Sequence, residues 1–385
     1  MSNVYVSHNT IISSLGFSSK AVVSNIKNEV SGLKKLHDKE LFQEPFYTSV
    51  INKEILETSF SKLNAKHDYT ILEKMMIVSL QDTINAANLN LDEKVGIIIS
   101  TTKGNIDVLD NANPFPEERA YLSSLGKAIT SHFNFKNDAV VLSNACVSGV
   151  LAITAAKKYI TLGLYDHVFV IGGDLVSKFV LSGFNSFQAM SLSPCRPYDT
   201  NRNGINLGEV VASALVTKSK NHLCKEAVEI LGDSTKNDAN HISGPSRTGE
   251  GLFRSVQAAL NDAEISKTDI DYISAHGTAT PFNDEMEAIA FNRLELQQTP
   301  LHSLKGYFGH SLGASALVET IVGMHSLHQN TLFTSLGFNV QGTSKPLNII
   351  TKTKEKIPLS PMFQKWDEEK EGEGDLPSGF ELRRG

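Results

Sequence analysis

The sequence predicts an α/β fold built from two similar halves, and three observations predict it. Runs rich in β-branched residues at 95–99, 139–142 and 168–171 are apolar on both faces, as strands buried between helices are. Between the last two, Val150, Leu151, Ile153, Ala156 and Ile160 crowd together as in a buried helix, which gives a strand, helix, strand order. The second half then repeats the theme.

The elements follow in chain order. The first half is taken as 1–220. Its strand at 139–142 runs into "SNACVSGVLAI" (143–153), a turn of small residues feeding the apolar helix that begins near Ser148. A loop is expected at 111–120, "NANPFPEERA", from its prolines and charges. The second half is taken as 221–359. There the amphipathic stretch at 251–265 precedes "IDYISAH" (270–276), and "KGYFGHSLGASALVETIVGM" (305–324) reads as a turn opening a helix at Ser311 to Gly313. A small-residue turn feeding an apolar helix in each half points to internal duplication. From about Ser360 the composition changes to a charge run with glycines, so 360–385 reads as a solvated tail.

Composition narrows the function classes. The 385 residues are 41% hydrophobic with a formal net charge of −6, so there is no broad basic field of the kind that displaces counterions from nucleic acid. No apolar run approaches the roughly 18 residues of a membrane span, and "MSNVYVSHNT" lacks the features of a secretory signal. A cytoplasmic protein is expected. Cys146, Cys195 and Cys224 are too few and too scattered for a disulfide framework or a CxxC metal site, so reduced thiols and no bound metal are expected.

Cys146 is the first candidate site residue. A lone cysteine is commonly a packing residue, but this one lies between a strand end and a helix start, where the helix dipole favours thiolate over thiol. The sharp turn needs small neighbours, and Asn144, Ala145, Ser148 and Gly149 supply them. A thiolate also needs donors for the charge that develops on its substrate. Two histidines stand in suitable settings. His276 ends a predicted strand in "SAHGTATPFND", at the carboxyl end where α/β sites gather. His310 sits between Gly309 and a helix start, with Lys305 upstream and Glu319 downstream; the helix end disfavours an extra proton on its ring. "DTNRNGINLGEV" (199–210) begins like a calcium loop, but Val210 stands where the twelfth-position glutamate belongs and Arg202 sits among the would-be ligands, so a turn is expected. "VIGGD" has the strand of a phosphate loop without its glycine pattern.

With Cys146, His276 and His310 in that order, the sequence resembles the β-ketoacyl-acyl-carrier-protein synthases of the thiolase superfamily. "NACVSG" is similar to the nucleophile motif, "HGTATPFND" to the first histidine motif and "KGYFGHSLGASALVE" to the lysine and second histidine motif; the similarity runs from about 90 to 330. The resemblance implies a thiolase-like five-layer αβαβα fold and a homodimer, or a heterodimer with a related subunit. It implies no tightly bound cofactor, because phosphopantetheine arrives on the acyl carrier protein substrate. It further implies acyl transfer to Cys146, then decarboxylative condensation with a malonyl carrier, with His276 and His310 as hydrogen-bond donors and Lys305, paired with Glu319, tuning the site. Thr278 and Thr280 match the threonines that hold the pantetheine arm, and Phe184 lies in the block that borders the acyl pocket. Family members end on a GFGGxN loop that completes the oxyanion hole; Gly379 and Phe380, followed by Glu381, are the approximate counterpart, so condensation by this chain is expected to be impaired. Two alternatives remain: a non-catalytic partner of the chain-length-factor kind, which typically lacks the cysteine, and a coenzyme A thiolase, whose second catalytic cysteine has no counterpart after the histidines.

Overall fold

The computed structural model describes residues 3–110, 113–236 and 246–355, and the backbone of 382–384. Its larger sheet contains β1 (Tyr5–Ser13), β2 (Val95–Ser100), β3 (Val140–Leu142), β4 (His167–Asp174), β5 (Val210–Thr217) and β6 (Val228–Ile230). With the terminal strand Leu382–Arg384 on β6, the order is Leu382–Arg384, β6, β1, β5, β4, β2, β3. β4 runs parallel to β2 and antiparallel to β5, so β2, β3 and β4 all end at one edge of the sheet. That shared edge holds the small-residue turn after β3. The unbroken apolar character of β2, β4 and β5 has a direct cause, since helices cover both sheet faces.

Helix α1 (Ile71–Ala87) lies on one face with α2 (Leu122–Phe133), burying Leu72, Met75, Met76, Leu125 and Ile129 against Ile97, Phe169 and Leu215. It starts at a capping box in which Thr70 accepts from the Glu73 N–H and Glu73 accepts from the Thr70 N–H. Helix α3 (Ser148–Thr161) covers the other face together with α4 (Ser315–Gln329), the equivalent helix of the second half. The two helices touch where Gly149 faces the backbone of Leu317: a Cβ on Gly149 would stand 2.7 Å from the Leu317 nitrogen, so only glycine permits the contact. Beyond them lies the smaller sheet, parallel β7 (Ile273–Ser274), β8 (Pro300–His302) and β9 (Asn348–Ile349). Its outer side is covered by α5 (Glu250–Asp262) and α6 (Pro281–Arg293), around Ala275, Ala288, Phe291 and Leu301. The result is five layers, with α3 and α4 in the middle.

The structure corrects several expectations. The strand at 139–142 is half-buried rather than buried, because β3 is at the sheet edge and pairs only with β2 among the described residues. The helix after His310 begins at Ser315, since a 3₁₀ turn, Leu312–Ala314, intervenes. Most of the tail, with Gly379 and Phe380, lies outside the described residues. Leu382–Arg384 departs from the expectation of a solvated end by pairing antiparallel with β6.

Candidate active site

Four loops meet at the carboxyl edge of the larger sheet. The first leaves β3 and turns sharply at Ala145, whose φ of 47° is in the left-handed region; a small side chain keeps that strain low. The Ser148 hydroxyl staples this turn, donating to the Ala145 carbonyl at 2.7 Å and accepting from the Asn144 N–H at 2.8 Å. Cys146 is thereby held two residues before α3, half-buried, between exposed Ala145 and Val147.

The second loop follows β7. Glu287 on α6 accepts from the His276 N–H at 2.9 Å, the Gly277 N–H at 2.7 Å, the Tyr198 hydroxyl at 2.9 Å and the Asn283 amide at 3.0 Å. Asp284, one turn earlier, accepts from the Ala279 and Tyr198 N–H groups. These two acids hold the histidine loop from behind. Thr278 and Thr280 face each other in it, their hydroxyls hydrogen-bonded at 2.8 Å.

The third loop carries His310, which is fully buried. Its Nδ1 accepts from the Leu312 N–H at 2.8 Å, so the ring proton must sit on Nε2. That Nε2 is buried and has no partner among the described residues. Leu312 reaches this position with φ of 50°, unusual for a bulky residue. The rings of His276 and His310 are perpendicular, with centroids 5.1 Å apart, and Phe184 stands 6.3 Å from His310 on its other side. The fourth loop, after β2, is tied to the third through Asp174.

The Cys146 sulfur and one ring nitrogen from each of His276 and His310 lie within 4.8 Å of one another. Such a set resembles a metal centre, but the Leu312 N–H opposes one: a metal on His310 Nε2 would force a proton onto Nδ1, donor against donor. Lys305, 2% exposed, donates to Glu319 at 2.7 Å. Burial, then Lys305, push the pKa of His276 well below the usual imidazole value; burial, Lys305 and His276 do the same for His310. Both rings are therefore neutral donors near neutral pH. For Cys146 burial dominates and pushes the thiol up to about 11, against the pull of Lys305. Burial thus opposes the thiolate that the helix start favours, and a sulfur that rests as the thiol must lose its proton as it reacts.

Of the residues the sequence singles out, the structure brings Cys146, His276 and His310 together, pairs Lys305 with Glu319, sets Phe184 near His310 and puts Thr278 and Thr280 on the His276 loop. Sequence reading missed Asp174, Asp284, Glu287 and Tyr198. Two signals were present: an acid ending a strand that is apolar on both faces, and two acids at i and i+3 on a helix that also carries Ala288 and Phe291. Asp199, in the calcium-like stretch, accepts from the backbone N–H groups of Asn201, Asn339 and Val340, as a turn does.

Comparison with known proteins agrees with this geometry. Residues 20–222 match the N-terminal domain of β-ketoacyl synthases and residues 227–339 match the C-terminal domain. A 3-oxoacyl-[acyl-carrier-protein] synthase homolog of Saccharomyces cerevisiae is 30% identical over 336 residues, 81% of this chain and 73% of that protein. The 3-oxoacyl-[acyl-carrier-protein] synthase 2 of Rhizobium meliloti is 35% identical over 201 residues, 48% of this chain and 47% of that protein. Among solved structures, a β-ketoacyl synthase from Burkholderia phymatum superimposes with a TM-score of 0.81 at 22% identity, covering 92% of this chain and 94% of that one. A ketosynthase from Xenorhabdus doucetiae, solved in complex with its chain length factor, gives 0.79 at 23% identity, with 92% of each chain covered. The chain belongs to the β-ketoacyl synthase family.

Proposed function

We propose that the chain is a 3-oxoacyl-[acyl-carrier-protein] synthase that extends an acyl thioester by decarboxylative condensation. The observation that carries this reading is the convergence of Cys146 with two neutral imidazoles, one of them presenting a buried, unpartnered Nε2–H. In the first half-reaction the Cys146 sulfur attacks the acyl carbonyl and the carrier thiol leaves. The Cys146 proton, which a thiol near pKa 11 does not lose unaided, passes to the departing thiolate, with His276 close enough to relay it. None of the described residues hydrogen-bonds to the His276 ring, so its tautomer is free to change.

In the second half-reaction a malonyl thioester loses carbon dioxide. The His310 Nε2–H, and His276 beside it, donate to the thioester oxygen as enolate charge grows there; two neutral donors in a water-poor site strengthen as that charge appears. The enolate carbon then attacks the acyl-Cys146 carbonyl, and the Cys146 thiolate leaves and takes a proton. Burial, reinforced by Lys305, keeps both rings unprotonated. Thr278 and Thr280 line the approach for a pantetheine arm, and Phe184 flanks the acyl side. No tightly bound cofactor or metal is required.

The half-buried edge strand β3 and the exposed apolar residues Val147, Phe179, Phe187 and Leu192 support pairing with a second subunit of the same kind, either this chain or a related one. Intact-mass analysis after incubation with acyl carrier protein thioesters tests the function. An acyl adduct on Cys146 that malonyl carrier protein discharges as a 3-oxoacyl product supports it. A chain that never loads would point to a non-catalytic chain-length-factor role.

A further inference from the structure

Asp174 is the one acid at the carboxyl edge of the larger sheet's parallel strands that the chemistry above leaves without a part. It ends β4, is 1% exposed, and every group that reaches it is a donor. The Thr101 hydroxyl donates at 2.8 Å, the Lys103 N–H at 3.0 Å, the Thr102 N–H to both oxygens and the Gly313 N–H at 2.8 Å. Backbone N–H groups only donate, so the set favours an ionised carboxylate, against the burial that raises its pKa. The contact to Gly313 spans 139 residues and joins the two halves. It is also close-fitting: a Cβ on Gly313 would lie 2.8 Å from Asp174 Oδ2 and 2.7 Å from the Thr101 Cα.

Gly313 follows Leu312, and the Leu312 N–H fixes the His310 tautomer. Leu312 is held at φ of 50°, a conformation a leucine leaves unless its surroundings enforce it. The enforcement on its carboxyl side is the Asp174 to Gly313 bond. We infer that Asp174 is a positioning residue whose carboxylate clamps the Leu312–Gly313 peptide in the left-handed conformation and so keeps the His310 proton on Nε2, where it can be donated to substrate. This assignment rests on the condensing reading for its consequence, though not for its geometry.

The experiment uses Asp174→Asn, which keeps the side chain's shape, in protein labelled with ¹⁵N-histidine; the His310→Gln spectrum assigns the His310 signals. In the unmodified chain His310 should show a protonated Nε2 and an unprotonated Nδ1. In Asp174→Asn the two nitrogens should move toward averaged values. Malonyl thioester decarboxylation should fall at least about tenfold, because a positioned proton donor is worth 10²–10⁴. Adding Leu312→Gly, which adopts positive φ without strain, to Asp174→Asn should restore the tautomer. An unchanged His310 tautomer in Asp174→Asn overturns the assignment. The tautomer is read on the resting protein. Absence of condensation in the unmodified chain would therefore sink the functional reading and still leave Asp174 decided.

Discussion

Glu287→Gln isolates what the buried acid behind His276 contributes. One Glu287 oxygen accepts from the His276 N–H, and the other accepts from the Gly277 N–H, the Tyr198 hydroxyl and the Asn283 amide. A glutamine has one accepting oxygen and one donating nitrogen. Placed to keep His276, it turns its NH₂ against three donors. Placed to keep the other three, it turns its NH₂ against one. The second orientation wins, and its casualty is the His276 N–H. A buried donor facing a donor, where a charged acceptor stood, costs about 1.5–3 kcal/mol, or roughly 10- to 150-fold if expressed in the transition state. The assay is decarboxylation of a malonyl thioester, which needs the histidines and not acyl transfer, run beside alkylation of Cys146. Decarboxylation should fall within that range with alkylation near its original rate. Unchanged decarboxylation, or a loss confined to acyl transfer, would refute the reasoning.

Burial pushes Asp284 up to about 7, against an ordinary 3.8, so the folded chain holds the extra proton between those values. Unfolding then releases it, and stability should fall by up to about 4 kcal/mol as pH rises from about 4 to 7; urea melts should show this fall flattened in Asp284→Asn. Because Cys146 titrates at about 11, its alkylation should rise about tenfold per pH unit from 7 to 10, and a plateau below pH 8 would contradict the buried-thiol assignment. The acid limb of decarboxylation should lie below the ordinary histidine value of 6.5, since both rings are held neutral; a half-maximum at 6.5 or above would count against it. Lys305→Met leaves Glu319 without its partner and should destabilise the fold by about 3 kcal/mol at pH 8. The loss should shrink as pH falls, because burial raises the Glu319 pKa, and Glu319→Leu should recover part of it.

Much of this site was legible in the chain because its parts are local. A cysteine after a strand, a histidine after a strand and a histidine before a helix each carry their own turn chemistry, and Lys305 reaches Glu319 within one turn-and-helix unit. What was not legible is long-range. The Gly313 N–H finds Asp174 across 139 residues, and no periodicity announces such a bond. The surroundings of Cys146 show the same limit: the helix start is visible in the sequence, whereas the burial that pushes its thiol up is a tertiary effect. The strand at 139–142 shows the corresponding limit for the fold, since a hydrophobic run states what can be buried and not which strand ends at the edge.

The most direct test of the central claim is the mass of the chain after incubation with an acyl carrier protein thioester, followed by peptide mapping. The account predicts one acyl group per chain on Cys146, absent from Cys146→Ala and discharged by malonyl carrier protein with release of carbon dioxide. Acylation that persists in Cys146→Ala, or none in the unmodified chain, would contradict it.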